Sequence, residues 1–305
     1  MSDYKSTFVR GSLTGQTAVI TGGGSGIGYG IAQALAWAGA SVVLLGRRED
    51  VLTTAASTLT PLFLDPSSQT AVGISTDVRS EDALASAASH VADSIVPSYG
   101  PLTILINAAA GNFLALAEDL TPKGFATVLS IDTMGTFNTS SAFFDLLASS
   151  SPTHAPVVIN ISATLHKPAT WYQSHASAAK AAIDSLTRSL ALEWGAHGIR
   201  VMGVAPGPIR DTPGFAKLGG AVEAVYDQIA DVVPLGRIGT VDDIGASILF
   251  LASPAAAWIS GVTLVVDGGA QLWSPPILPR SAVADHSRRV ERKSRATGLP
   301  LKSKL

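Results

Sequence analysis

Cysteine is absent from the chain, which excludes disulfides, a thiolate nucleophile and the usual cysteine zinc sites, and which fits a reducing interior. Charge is sparse as well: Asp, Glu, Lys and Arg make up 14% of the residues and the formal net charge is −2. That balance gives no global attraction to nucleic acid or to an anionic membrane, so any anionic ligand has to be held locally. There is no apolar run of membrane-spanning length; the apolar stretches are strand-sized or are broken by Gly and polar residues. Residues Met1 to Arg10 contain Asp3, Lys5 and Arg10 around no apolar segment, so no secretory leader is expected. The six histidines show no ligand-like spacing, and no metal is expected. These absences point to a soluble protein.

What is present is apolar surface in abundance: 47% hydrophobic residues over 305 positions are enough for a substantial core. Short β-branched runs at 17–20, 41–45, 71–75, 103–106, 157–161, 200–205 and 262–266 alternate with Ala-rich, helix-length segments. Strands separated by helices imply an α/β fold, a single Rossmann-type domain with a doubly wound, seven-stranded parallel sheet. Ligands of such a sheet bind beyond the carboxyl ends of its strands. No linker, internal repeat or heptad pattern divides the body, so residues 1–274 read as one domain. Residues 275–305 form a tail, Pro-rich at first and then basic, with Arg288, Arg289, Arg292 and Lys293, and expected to be irregular or to run over the surface.

After the first strand comes Gly22-Gly23-Gly24-Ser25-Gly26-Ile27-Gly28, leading directly into a helical segment. Glycines at this turn let the backbone approach a pyrophosphate, whose charge then meets the free N–H groups of a helix N-terminus. An NAD enzyme of this kind usually ends its second strand on a carboxylate that binds the ribose hydroxyls. Here the strand ends on Arg47 and Arg48, two guanidinium groups suited to a 2′-phosphate, so the cofactor read from the sequence is NADPH. The competing reading is that both arginines solvate a loop beside Glu49 and Asp50. Asp77 and Val78 follow the third strand, where they would flank the adenine, and Asn107, Ala108 and Ala109 follow the fourth, where backbone would pass the cofactor.

The glycine motif, Asn107-Ala108-Ala109, Lys180 and Pro206-Gly207-Pro208 together resemble the short-chain dehydrogenase/reductase family over roughly residues 12–270. The resemblance implies that Pro206, Gly207 and Ile209 border the cofactor and that Lys180 binds its nicotinamide ribose. Members usually carry a Tyr four residues before this Lys as proton donor to a carbonyl; here that position is Ala176. The family's Ser falls on Ala163, and Asp132 takes the place of its Asn. With these departures, the segments from Asn107 to Leu114 and from Ile131 to Phe137 resemble the peroxisomal dienoyl-CoA reductases, which lack the Tyr.

That resemblance implies NADPH-dependent reduction of an unsaturated fatty acyl-CoA to a 3-enoyl-CoA, with Asp132 as acid, directly or through a water, and Lys180 as the cation beside it. To donate, Asp132 must be buried enough to hold a proton near neutral pH, and a close Lys180 works against that. Candidate substrate contacts are Phe113 for the acyl chain and Arg79, Lys123 and Lys217 for the coenzyme A phosphates, with residues 215–220 as a lid. Ser303-Lys304-Leu305 matches a tripeptide read by the peroxisomal import receptor, so the peroxisomal matrix is the expected location. A homodimer or homotetramer, paired through the small residues of 177–191, is expected from the family. Two other readings stay open: an enoyl-thioester or ketone reductase using Tyr172 or Ser174 as a displaced acid, and a non-catalytic protein that binds NADPH or acyl-CoA.

Overall fold

The computed structural model describes residues 4–150, 155–166, 169–217, 223–276 and 280–296. Seven parallel strands form one sheet: β1 (Thr17–Thr21), β2 (Ser41–Gly46), β3 (Ala71–Ser75), β4 (Leu102–Asn107), β5 (Val157–Ile161), β6 (Arg200–Pro206) and β7 (Thr263–Val266), in the order β3-β2-β1-β4-β5-β6-β7. The order reverses between β1 and β4, and at that switch two neighbouring connections leave toward opposite faces and open a crevice.

The strands read as continuous apolar runs because both faces are covered. Alternate residues feed two cores. Ile20, Leu44, Ile106, Ile159 and Val204 pack on one side against α1 (Gly26–Trp37) and α2 (Glu49–Leu59). Val19, Val43, Leu105, Val158 and Val201 pack on the other, against α3 (Glu81–His90) and the helices that follow β4 and β5. The sequence bounds of the strands hold to within a residue or so at each end.

Beyond β4 the chain forms α4 (Pro122–Leu129), a wide π-type turn (Ser130–Met134) and α5 (Gly135–Ala142). Helix α6 (Ser174–Trp194) crosses beside β5 and β6, and α7 (Glu223–Val232) and α8 (Val241–Ala252) precede β7. Among the described residues, no helix is long and apolar enough to cross a membrane.

The chain divides into two compact units, residues 1–271 and 272–305. In the second, Arg280–Ala296 is helical, where irregular chain was expected. The segment contains no Gly or Pro, and eight of its 17 residues are Arg or Ala, both good helix formers, so local propensity outweighs its charge run. Ser303, Lys304 and Leu305 lie outside the described residues, as do positions 218–220 of the expected lid.

Candidate active site

Each wall of the site begins at the carboxyl end of a strand. At the end of β1, the Thr21 hydroxyl accepts the backbone N–H groups of Ala108 (2.9 Å) and Ala109 (3.0 Å), fixing the loop after β4 beside the glycine turn. Gly22 has φ +65°, and a Cβ there would stand 2.9 Å from the Ala108 carbonyl oxygen. At Gly28 a Cβ would overlap the carbonyl oxygen of Gly22. Only bare backbone fits, and it leaves the first turn of α1 open toward the crevice with its N–H groups unclaimed by the helix.

The crevice is a cleft of about 380 Å³ that gathers Gly22, Ser25, Gly26, Ile27 and Gly28 from the first turn, Arg47 and Arg48 from β2, Asp77 and Val78 from β3, and Ala108 and Ala109 from β4. Gly111, Asn112, Ile131, Thr212 and Pro213 also line the wall, and none of them was named as a site residue from the sequence. Glycine turn, helix N-terminus and paired guanidinium groups on one rim are the donor set a dinucleotide with an extra ribose phosphate requires. Asp77 accepts hydrogen bonds from the Arg79 guanidinium and backbone, which hold its carboxyl at about 2, with Arg47 adding to the effect. Arg79 is therefore engaged by Asp77 rather than directed at a phosphate.

Four expected cofactor contacts stand elsewhere. Asn107 is buried behind the wall, where its amide donates to Ser140 Oγ (2.9 Å) and Asn160 Oδ1 (2.8 Å), and Asn160 donates to Thr187 Oγ1 (2.9 Å). This polar chain ties β4 and β5 to α6. Pro206 ends β6, and Gly207 follows it so close to Asp267 that a Cβ would lie 2.6 Å from the aspartate Cβ. Ile209 is buried and lines a second cavity of about 450 Å³ with Pro234, Leu235 and Val266. The one cation lining that cavity, Arg237, is held by both oxygens of Asp243 at 2.8 Å, leaving no charge for a phosphate.

The chemistry-bearing corner adjoins the cleft at Gly111 and Ile131. The wide turn after α4 carries Asp132 into the interior, where it is fully buried; such turns place an extra residue in a helix and re-aim its side chains. Its Oδ1 accepts the Gly111 N–H at 2.7 Å, and its Oδ2 lies 2.9 Å from Lys180 Nζ. Lys180, on α6, also donates to the Ile161 carbonyl at the end of β5 (3.0 Å). Thr133 clamps the turn to α6 by donating to the Ala179 carbonyl. Ala176, on the Lys180 face, packs in a small apolar cluster with Val128 and Ala179, so a methyl group occupies the position where family members carry a phenol. Tyr172 is half exposed in the loop before α6, with φ +61°.

Of the substrate candidates, Lys217 lines the cleft, Lys123 is exposed on the first turn of α4 and is not part of the wall, and Phe113 stacks on His175 with ring centroids 4.3 Å apart. Sequence reasoning missed His175. It is fully buried, and burial lowers its proton affinity below the ordinary 6.5, opposed by the Phe113 backbone and by Asp132. No spacing rule could have found it, because its neighbours come from the loop after β4.

Fold and site together define an oxidoreductase, and the chain belongs to the short-chain dehydrogenase/reductase family: residues 22–271 match the family described as Enoyl-(Acyl carrier protein) reductase. It is similar to a peroxisomal 2,4-dienoyl-CoA reductase [(3E)-enoyl-CoA-producing] of Arabidopsis thaliana, 46% identical over 98% of both chains. A Danio rerio protein of the same description is 41% identical over 90% of this chain and 87% of its own. Among solved structures, a short chain dehydrogenase from Bacillus anthracis superposes with a TM-score of 0.75 at 35% identity, covering 87% of this chain and 100% of that one.

Proposed function

We propose that this protein is an NADPH-dependent 2,4-dienoyl-CoA reductase that converts unsaturated fatty acyl-CoA to 3-enoyl-CoA. The observation that carries the reading is the Asp132–Lys180 pair, set beside a dinucleotide cleft in which Ala176 stands where a ketone reductase needs its phenol. The relatives' descriptions support the substrate class, and their peroxisomal designation supports the same compartment here.

The glycine turn, Arg47 and Arg48 would hold the cofactor in the cleft, and its reduced nicotinamide would be the source of the hydride for the far carbon of the conjugated acyl thioester. What the chain must add is charge stabilisation at the thioester oxygen and a proton at carbon 2. Arg47 and Arg48 bind the 2′-phosphate by charge-assisted hydrogen bonds. The Lys180 ammonium holds the nicotinamide ribose and provides positive potential where the enolate charge develops. Both Asp132 oxygens already face donors, so Asp132 acts through a water that it orients and that protonates carbon 2. Phe113 and its exposed neighbour Leu114 receive the acyl chain, and Lys217 faces the coenzyme A phosphates.

The same reading carries matrix import through Ser303-Lys304-Leu305 and a homodimer or homotetramer paired through α6. The test is NADPH consumption with a trans,trans-2,4-dienoyl-CoA and identification of the product's double bond: a 3-enoyl-CoA is expected, and turnover of simple ketones with none of the dienoyl thioester would refute the assignment.

A further inference from the structure

Large apolar side chains stand exposed in two loops beside the active site. Trp171, 81% exposed, and the half-exposed Tyr172 lie in the loop before α6, and Leu114 and Leu116 are half exposed in the loop after β4. Solvated apolar residues scattered singly are ordinary, but a contiguous set marks a surface that something apolar covers. This set is contiguous: the Ala115 N–H, between the two leucines, donates to the Tyr172 carbonyl at 3.0 Å, and the Trp171 and Tyr172 rings lie 5.9 Å apart. No charged residue falls within 111–117 or 169–174.

The ledge is continuous with the reaction corner. From Asp132 outward the loop after β4 is pinned at four points: the Gly111 N–H donates to Asp132 Oδ1, the Asn112 amide donates to Gln173 Oε1 at 2.5 Å, the Phe113 ring stacks on His175, and the Ala115 N–H reaches Tyr172. Tyr172 is held at φ +61°, in the left-handed region that a bulky side chain rarely adopts. Such strain persists only where the surroundings impose it, and it collects at ligand sites. Here the bond from Ala115 and the Asn112–Gln173 bond on the next residue impose it. Neither the solvated rings nor the strain helps the fold.

We propose that Trp171 and Tyr172 set the acyl-chain length this enzyme prefers, by covering the methylenes of the substrate beyond its conjugated system. This deepens the dienoyl-CoA reductase reading and rests on it. On that reading the thioester and diene sit at the Asp132–Lys180 corner and the coenzyme A phosphates face Lys217, so the rest of the substrate is an uncharged hydrocarbon chain. It leaves the corner along the loop after β4, the surface without charge. Phe113 and Leu114 receive its first carbons, and a longer chain reaches the two rings where that loop is bonded to Tyr172. Each methylene taken from water there favours binding by up to about fourfold, from about 0.8 kcal/mol per buried CH2.

The test measures kcat/KM of the full-length protein on trans,trans-2,4-hexadienoyl-CoA and on the corresponding tetradecadienoyl-CoA. Wild type is compared with Trp171→Gln/Tyr172→Asn and Trp171→Phe/Tyr172→Phe, with oligomeric state followed by sedimentation. Asn tolerates the left-handed backbone at position 172, so the first variant removes both rings without adding strain. The readout is the ratio of the long substrate to the short one, which cancels any general loss of activity. Wild type should favour the longer chain by about tenfold or more, and the Gln/Asn variant should lose most of that ratio through KM. The Phe/Phe variant should keep it, which would also remove the Tyr172 hydroxyl as a proton donor. A ratio unchanged in the Gln/Asn variant overturns the proposal while the reductase reading stands. So does an equal loss on both substrates with a change in oligomeric state, which would make the rings a contact between copies. Should the Gln/Asn variant not fold, Trp171→Gln alone decides on the same ratio. A wild type that reduces neither dienoyl-CoA sinks the functional reading, and this proposal with it.

Discussion

Lys180 Nζ lies 2.9 Å from Asp132 Oδ2, and both side chains are almost fully removed from solvent. A buried pair is costly to form and costlier to break, because losing one partner leaves the other charge without compensation. Asp132→Asn retains an acceptor for the Gly111 N–H but strands Lys180. The expected result is a loss of about 10²–10⁴-fold in kcat, typical of removing a proton-transfer group, with a destabilisation of up to about 3–5 kcal/mol. Urea unfolding beside steady-state kinetics measures both, and Asp132→Asn/Lys180→Met should recover stability relative to the single variant without recovering rate.

On the proposed reading, the arginine rim sets cofactor choice. Each charge-assisted bond to a phosphate contributes about 1.5–3 kcal/mol, so Arg47→Ala/Arg48→Ala should raise the Kd for NADPH by about tenfold to a hundredfold or more while leaving that for NADH nearly unchanged. Fluorescence titration of both nucleotides reads this directly. Equal weakening of the two would assign the arginines to the loop rather than to the 2′-phosphate.

The glycine turn tolerates no side chain at its closest approach. In Gly28→Ala the new methyl meets the Gly22 carbonyl, and the turn has to shift. Overpacking of this kind costs about 1–3 kcal/mol; NADPH binding should fall sharply while circular dichroism shows the sheet intact. Unchanged affinity would place the pyrophosphate elsewhere.

Burial of His175 makes stability depend on pH. The ring's folded proton affinity is lowered from the ordinary 6.5, so below that value the unfolded chain binds more protons than the native one. Its contribution is fully present above pH 6.5 and is lost as pH falls from there toward the lowered folded value. Thermal unfolding between pH 7.5 and 5 should show a downward slope that His175→Phe flattens; identical slopes would mean that other groups dominate this range.

How much of this was legible in the sequence follows from where each constraint originates. The strands could be bounded closely because both faces of the sheet are covered and every residue of β1, β2 and β4 up to the turns is apolar or small. The glycine turn and the Arg47–Arg48 rim are local in sequence, and they come together in the cleft. Asp132 and Lys180 were identifiable by their places in a family pattern, but their 2.9 Å contact depends on a π-type turn that no residue preference announces. Asn107 was placed on the cofactor wall and instead braces it from behind, because its partners Ser140 and Asn160 come from two other elements. Lys123 and Lys217 look alike in sequence; only the fold puts one on the cleft wall and the other on an outer helix turn.

The most direct test of the account follows NADPH absorbance with purified protein and a medium-chain trans,trans-2,4-dienoyl-CoA, beside a 2-enoyl-CoA, a ketone panel and Asp132→Asn. The account requires oxidation with the dienoyl thioester and no ketone turnover, with the rate lost in the variant although NADPH still binds. Tight NADPH binding with no oxidation on any substrate would contradict it and leave a cofactor-binding protein without this chemistry.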